Sequence, residues 1–167
     1  MTGWFLLKLV HVFAGVVWMG GGIIMIYFIV PSVKATAPAG GAVMAHLNTR
    51  LRLPQVLLYA AWATTLAGLV LFWRASDGLS AGYFESLQGQ ALAAGSGAGV
   101  LAFLGAVGVQ LPRSKRLAQL GARMMQTPSP ETAAVLATEQ RKFALGGYII
   151  SVFFVISLLG MLMSHPV

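Results

Sequence analysis

Four long apolar stretches, separated by short polar segments, constrain this chain more than any other feature. They cover residues 3–30, 54–73, 91–111 and 143–164. Each reaches the roughly 20 residues that a helix needs to cross the hydrocarbon of a bilayer. Inside lipid every backbone N–H and C=O needs a partner within the protein, and a helix supplies one. The pattern therefore predicts an all-α integral membrane protein, a four-helix transmembrane bundle that forms one domain over residues 1–167.

The composition of the chain supports a lipid environment. Hydrophobic residues make up 57% of the sequence and charged residues only 9%, whereas about a quarter of the residues in a soluble domain are charged. So few charged side chains cannot cover a globule in water, and the lipid bilayer is the predicted partner. The chain has no cysteine, which excludes disulfides, thiolate metal sites and cysteine nucleophiles.

Prolines mark the predicted helix boundaries. Pro31, Pro112 and Pro166 each follow one of the apolar stretches, and Pro54 begins another. Proline cannot donate a backbone hydrogen bond, so the first three are predicted to end helices. Pro54 is suited to a first helical turn.

The loops between the stretches contain predicted helices of their own. Helix-forming residues over 113–125 precede a break at 127–130, and Pro130 is predicted to open a helix that continues into the fourth stretch. Residues 40–53 are predicted to form a short amphipathic helix on the inner membrane surface. Residues 77–90 are predicted to be an outer loop.

The distribution of charge predicts the orientation in the membrane. The net charge is +7, from 11 Lys and Arg against 4 Asp and Glu, and most of the basic residues lie in loops 31–53 and 112–142. The positive-inside rule predicts that both loops are cytoplasmic and that both termini lie outside, in a bacterial inner membrane. We interpret the positive charge as a topology signal that contacts anionic headgroups, not nucleic acid.

The first stretch carries the residues most suggestive of chemistry. Lys8 and His11 are ionisable residues inside a predicted span, where such groups are costly and mark functional sites by default. Polar, aromatic and small residues recur there at helical steps of three or four, namely Trp4, Lys8, His11, Gly15, Trp18 and Gly22. The spacing predicts that they share one helix face and that this face contacts protein.

Three roles compete for His11. A neutral imidazole nitrogen can be an axial ligand of haem iron, can bind copper or another metal ion, or can hydrogen-bond to a neighbouring helix. Its predicted depth corresponds to that of Thr64, Thr65 and Ser157. Lys8 either extends its ammonium to the headgroups or pairs with a carboxylate, such as a haem propionate.

A glycine-rich run in the third stretch has two interpretations. Gly95, Gly97 and Gly99 permit either close packing of helices or space for a planar macrocycle. A second haem ligand is not evident, because His46 belongs to a cytoplasmic loop and His165 to the far end of the fourth stretch. The remaining options are Met161, a second copy of His11 in a homodimer, or a five-coordinate haem.

A wider pattern combines an early tryptophan, a histidine and a tryptophan followed by glycines, and then a basic segment before proline. It comprises Trp4, His11, Gly15, Trp18, Met19, Gly20, Gly21 and residues 48–54. The pattern resembles the four-helix protoporphyrinogen oxidase family, the copper-resistance D family and the urate-oxidase membrane-domain proteins. The resemblance implies that His11 is the axial ligand of a haem. Residues 91–111 lack the functional third-helix lysine of those oxidases, so the implication covers haem binding and not porphyrinogen oxidation.

The predicted function is therefore haem b binding in electron transfer, by a homodimer or a subunit of a larger membrane complex. The predicted site comprises His11 as the metal ligand with Lys8, Gly15, Trp18, Gly95 and Gly99 around the cofactor. Two alternatives stay open. One is a porphyrin or quinone oxidoreductase, and the other is a structural or accessory membrane subunit without a cofactor.

Overall fold

The computed structural model describes residues 2–36 and 39–164, which fold into helices without any strand. The helices are α1 (Gly3–Ala35), α2 (Ala39–Thr49), α3 (Leu53–Ala75), α4 (Ala81–Glu85), α5 (Leu87–Gln126) and α6 (Pro130–Met163). Helices α1, α3, α5 and α6 are long and apolar enough to cross a membrane. The predicted all-α fold with four such helices is thereby confirmed. Two predicted features, the helix end at Pro166 and the position of His165, lie outside the described residues.

The predicted helix ends at Pro31 and Pro112 are wrong, because α1 and α5 continue through both prolines. A wide π-helical turn precedes each proline, over Met25–Ile29 in α1 and Ala106–Gln110 in α5. Proline lacks an N–H and its ring clashes with the carbonyl four residues earlier. A wide turn relieves both problems by pairing backbone groups five residues apart.

The two longest helices form a hairpin that extends beyond the apolar stretches. Helix α5 continues to Gln126, and α6 begins at Pro130, as the sequence predicts. The Ser129 side chain caps α6 by accepting a hydrogen bond of 3.1 Å from the Thr132 N–H. We call residues 111–142 the hairpin extension. The predicted short helix in the first loop is also observed, as α2.

Four aromatic side chains, one from each long helix, contact one another; Trp18, Phe103 and Phe154 are buried, and Trp62 is 43% exposed at the edge of the cluster. Trp18 packs edge to face against Phe154, with ring centroids 4.9 Å apart, and against Phe103 at 6.3 Å. Trp62 packs against the same Phe103 at 4.7 Å. Edge-to-face pairs at these distances are favourable because the positive ring edge meets the negative ring face. This cluster therefore connects all four long helices.

Most of the large apolar side chains point away from the core. Phe5, Phe13 and Val16 of α1 are 64%, 66% and 66% exposed, and similar residues cover the outside of the other long helices. A soluble monomer rarely leaves so large a contiguous apolar surface open. The arrangement is consistent with contact between this surface and a lipid bilayer.

Candidate functional site around His11

His11 lies where α1 crosses α3, and it forms a reciprocal pair of hydrogen bonds with Thr64. The Nδ1 atom of His11 is 2.8 Å from the backbone oxygen of Thr64. The Thr64 hydroxyl donates in return to the backbone oxygen of His11 at 2.9 Å. Thr64 is buried, and His11 is partly buried. Thr64 was among the partners predicted from depth alone, and this contact confirms it.

The Thr64 carbonyl decides which ring nitrogen of His11 carries the proton. A backbone carbonyl only accepts hydrogen bonds, so Nδ1 must be the donor. In the neutral ring the lone pair then resides on Nε2. Within residues 2–36 and 39–164, Nε2 makes no hydrogen bond. His11 therefore presents one oriented nitrogen that is available as a ligand.

Glycines make the space in which the imidazole ring lies. A Cβ atom at Gly68 would lie 2.7 Å from Cε1 of His11 and 3.0 Å from its Nδ1. A Cβ atom at Gly15 would lie 3.2 Å from the Thr64 hydroxyl. Sequence reasoning identified Gly15 but missed Gly68. The available signal was the spacing of Thr64 and Gly68, which are four residues apart and share one face of α3.

We expect Gly68→Val to displace the imidazole and to break its hydrogen bond to Thr64. Overpacking of this kind costs about 1–3 kcal/mol, which unfolding in an SDS titration would measure. The control is Gly20→Val, because a Cβ at Gly20 has nothing within 4 Å. Equal unfolding free energies for the two variants would contradict the described contact between His11 and α3.

A shallow pocket of about 280 Å³ lies toward the start of α1, and its lining includes Lys8, about one helical turn before His11, and a second cation. The lining residues are Trp4, Phe5, Lys8 and Arg74. The Arg74 guanidinium carbon lies 3.8 Å from the centre of the Trp4 ring, a cation–π contact that orients it. No acidic side chain in the described part of the chain pairs with Lys8 or Arg74. Sequence reasoning singled out Lys8 but treated Arg74 only as a loop charge.

The structure separates two glycines of the predicted site from His11. A Cβ at Gly95 would lie 2.9 Å from the Ser157 backbone oxygen, and one at Gly99 would lie 3.1 Å from the Ser157 hydroxyl. Both glycines therefore lie at the contact of α5 with α6, whereas His11 contacts α3. This geometry corresponds to the packing interpretation of the glycine run, since α6 occupies the space beside both. Gly97 has open space around it.

The stripe predicted on α1 contacts more than one neighbouring helix. His11 and Gly15 contact Thr64 of α3, whereas Trp18 contacts Phe103 and Phe154 of α5 and α6. A π-helical turn over residues 16–20 separates the two halves. His11, Gly15 and Gly22 are partly buried and Trp18 is buried, whereas Trp4 and Lys8 are exposed. Trp18 belongs to the aromatic core through its contacts with Phe103 and Phe154.

The other candidate ligands lie elsewhere. His46 is exposed on α2, and Met161 lies on α6 next to Gly160, which packs on α5. Across the described ranges, no three His, Cys, Asp or Glu side chains form a group that could hold a metal ion. His11 is therefore a single-residue ligand candidate, which is a donor set that a macrocycle can complete but that a bare copper ion does not favour.

A second polar group was missed by sequence reasoning. Glu139 on α6 is only 7% exposed and lies within 4 Å of basic side chains from both α5 and α6. The available signal was that Glu139, one of two acids in the hairpin extension, lies close in the sequence to Arg141 and Lys142.

Comparison of the chain with protein-family models, with curated proteins and with solved structures finds no match.

Proposed function

We propose that this chain binds haem b through Nε2 of His11 and takes part in membrane electron transfer. The observation that carries the proposal is the hydrogen bond from Nδ1 of His11 to the Thr64 carbonyl. Metal-bound histidines usually donate their second ring N–H to a carbonyl or carboxylate, which fixes the tautomer and makes the other nitrogen a better ligand. A haem, when bound, supplies one-electron redox chemistry that amino-acid side chains lack.

The residues near His11 fit the remaining parts of a haem. Lys8 is one helical turn from His11 on α1, and the pocket that it lines also contains Arg74. Two cations without an acidic partner suit the two propionate carboxylates of a haem, because ion pairing is stronger where water is scarce. Trp4 holds the Arg74 guanidinium at this position. His11 is partly exposed, so a planar group could approach it from outside the bundle.

The proposal includes the orientation and the assembly. The charge distribution supports cytoplasmic loops at 31–53 and 112–142, both termini outside, and a bacterial inner membrane. Among the described residues, His11 is the one histidine in the apolar part of a long helix, which supports either a five-coordinate haem or a homodimer in which two copies of His11 share one haem. An open coordination position would permit a porphyrin or quinone oxidoreductase activity, which substrate-dependent reduction of the haem would reveal.

The decisive experiment is an absorption spectrum of the purified protein, supplied with haem, before and after dithionite reduction. We expect a Soret band and b-type α and β bands in the wild type, and their loss in His11→Ala. Thr64→Val is the matched control, because it removes the hydroxyl but keeps the backbone carbonyl that accepts from Nδ1. Lys8→Gln and Arg74→Gln should lower the haem affinity without shifting the Soret maximum.

Two outcomes would contradict the proposal. A wild type that stays colourless in the presence of haem would favour the accessory subunit without a cofactor, in which His11 and Thr64 only join α1 to α3. An unchanged spectrum in His11→Ala would show that haem binds at another residue. Loss of the spectrum in His11→Ala but not in Thr64→Val separates ligation from a general loss of folding.

A further inference from the structure

Glu139 gathers three basic side chains where the hairpin extension leaves the apolar part of the bundle. Its carboxylate oxygens lie 3.6 Å from Arg113 Nε, 3.7 Å from Arg116 Nη1 and 3.9 Å from Lys142 Nζ. We call these four residues the junction cluster. Arg113 and Arg116 come from α5, and Glu139 and Lys142 come from α6. The cluster therefore joins the two helices by charge.

Two further hydrogen bonds fix the register of α5 and α6 at this position. Arg113 Nη1 donates to the Lys142 backbone oxygen at 3.1 Å, and Gln110 Nε2 donates to the Phe143 backbone oxygen at 2.8 Å. Both bonds lie where the third and fourth apolar stretches end, at residues 111 and 143. The apolar part of a membrane-spanning helix ends at the level of the lipid headgroups. The junction cluster flanks these two ends, so we place it at headgroup level.

The basic side chains of the junction cluster have N–H donors that Glu139 does not satisfy. A single carboxylate offsets one of three positive charges. All three nitrogen–oxygen distances exceed the 2.7–2.9 Å typical of a charge-assisted hydrogen bond. Arg116 and Lys142 have side chains that are 61% and 55% exposed, and both lie near the same oxygen of Glu139. Their N–H donors are therefore available, close together, to an external anion.

The distribution of charge along the hairpin extension favours a lipid as the source of that anion. Residues 111–116 and 139–142 contain five Lys and Arg against one Glu. The charged residues of 117–138 are Arg123 and Glu131 alone. The positive charge is thus concentrated at headgroup level and is absent, on balance, from the tip. A docking surface for a soluble acidic protein would need the charge at the projecting tip, where such a partner approaches.

We propose that the junction cluster binds the phosphate of an anionic phospholipid between Arg116 and Lys142. Arginine is suited to this role because its planar guanidinium donates two hydrogen bonds to one phosphate. Basic pockets between membrane helices bind anionic headgroups in this manner. Glu139 keeps Arg113 within the cluster and leaves the two exposed cations for the lipid. The site lies apart from His11, so it does not depend on haem binding.

In the test, phosphatidylglycerol is added stepwise to the full chain in an uncharged detergent. The melting temperature of the protein is measured at each lipid concentration. Parallel titrations use phosphatidylcholine and inorganic phosphate. We expect a saturable rise in melting temperature with phosphatidylglycerol alone. A hydrogen bond between charged groups in the site contributes about tenfold in affinity, so Arg116→Gln with Lys142→Gln should weaken binding about 100-fold. Arg116→Gln alone should weaken it about tenfold.

The matched control is Lys115→Gln with Arg141→Gln, which removes the same charge from exposed positions that make no ion pair with Glu139. This variant should bind phosphatidylglycerol much more tightly than the first double variant. Glu139→Gln should bind it more tightly than the wild type, while its melting temperature without lipid should fall. The rise in lipid affinity and the fall in lipid-free melting temperature distinguish an effect on lipid binding from an effect on the internal ion pairs.

Three results would overturn the proposal. Phosphatidylglycerol that leaves the melting temperature unchanged would mean that the cluster only joins α5 to α6. Equal weakening by the two double variants would mean that lipid responds to diffuse charge and not to a site. A rise produced equally by inorganic phosphate would assign the anion to solution and not to the membrane.

Discussion

Gly95→Val is expected to lower the free energy of unfolding by about 3 kcal/mol, the upper part of the usual range for overpacking. A Cβ at Gly95 would meet the Ser157 backbone oxygen at 2.9 Å and the Gly160 Cα at 3.0 Å. Both are backbone atoms, which cannot move aside as a flexible side chain can. Helices α5 and α6 would have to separate along the contact. An SDS titration followed by far-UV circular dichroism would measure the loss.

Gly97→Val is the matched control for this prediction. Gly97 belongs to the same glycine run and the same helix, but a Cβ there has nothing within 4 Å. The variant has the same change in helix propensity and in volume, so the difference between Gly95 and Gly97 isolates the contact with α6. Equal unfolding free energies would mean that α5 and α6 do not approach each other at Gly95.

Trp18→Ala is expected to cost about 3 kcal/mol, the lower end of the range for a large aromatic residue in a core. The lower end applies because lipid is as apolar as the core, so the loss consists of packing and cavity energy and not of hydrophobic transfer. Trp18 contacts Phe103 and Phe154, and all three are buried. The same SDS titration measures this loss.

The control for the Trp18 variant is Trp73→Ala. Trp73 is 60% exposed, so its removal should change the unfolding free energy little. Trp18→Phe should restore part of the stability, because a smaller ring still meets Phe154 edge to face. A larger loss for Trp73→Ala than for Trp18→Ala would contradict an aromatic core built around Trp18.

The four long helices were predictable because the relevant signal is local. Lipid requires every backbone polar group to be paired within its own segment, so length and hydropathy of a stretch are sufficient. The start of α6 was predictable for a similar reason, since Ser129 and Pro130 act on the first turn alone. The course of the chain at Pro31 and Pro112 was not, because the wide turns depend on how the whole helix is packed.

The candidate site was predictable only in part. Polarity inside an apolar stretch was enough to single out His11 and Lys8, and helix depth was enough to suggest Thr64. Gly68 and Arg74 were missed because their importance comes from α3, which the chain reaches more than 40 residues after His11. A glycine or a charged residue near a helix end is common in any sequence, so its role is recognised only from the residue that it contacts.

The amino-acid sequence by itself determined the number of long helices, their apolar character and His11 as the leading ligand candidate. Tertiary structure decided that Gly95 and Gly99 pack against α6, that Trp18 joins the core, and that Glu139 collects cations from two helices. The division has one physical cause. Hydropathy and turn residues act within a few positions, whereas the neighbour of each helix face is decided by contacts between segments that are distant in the sequence.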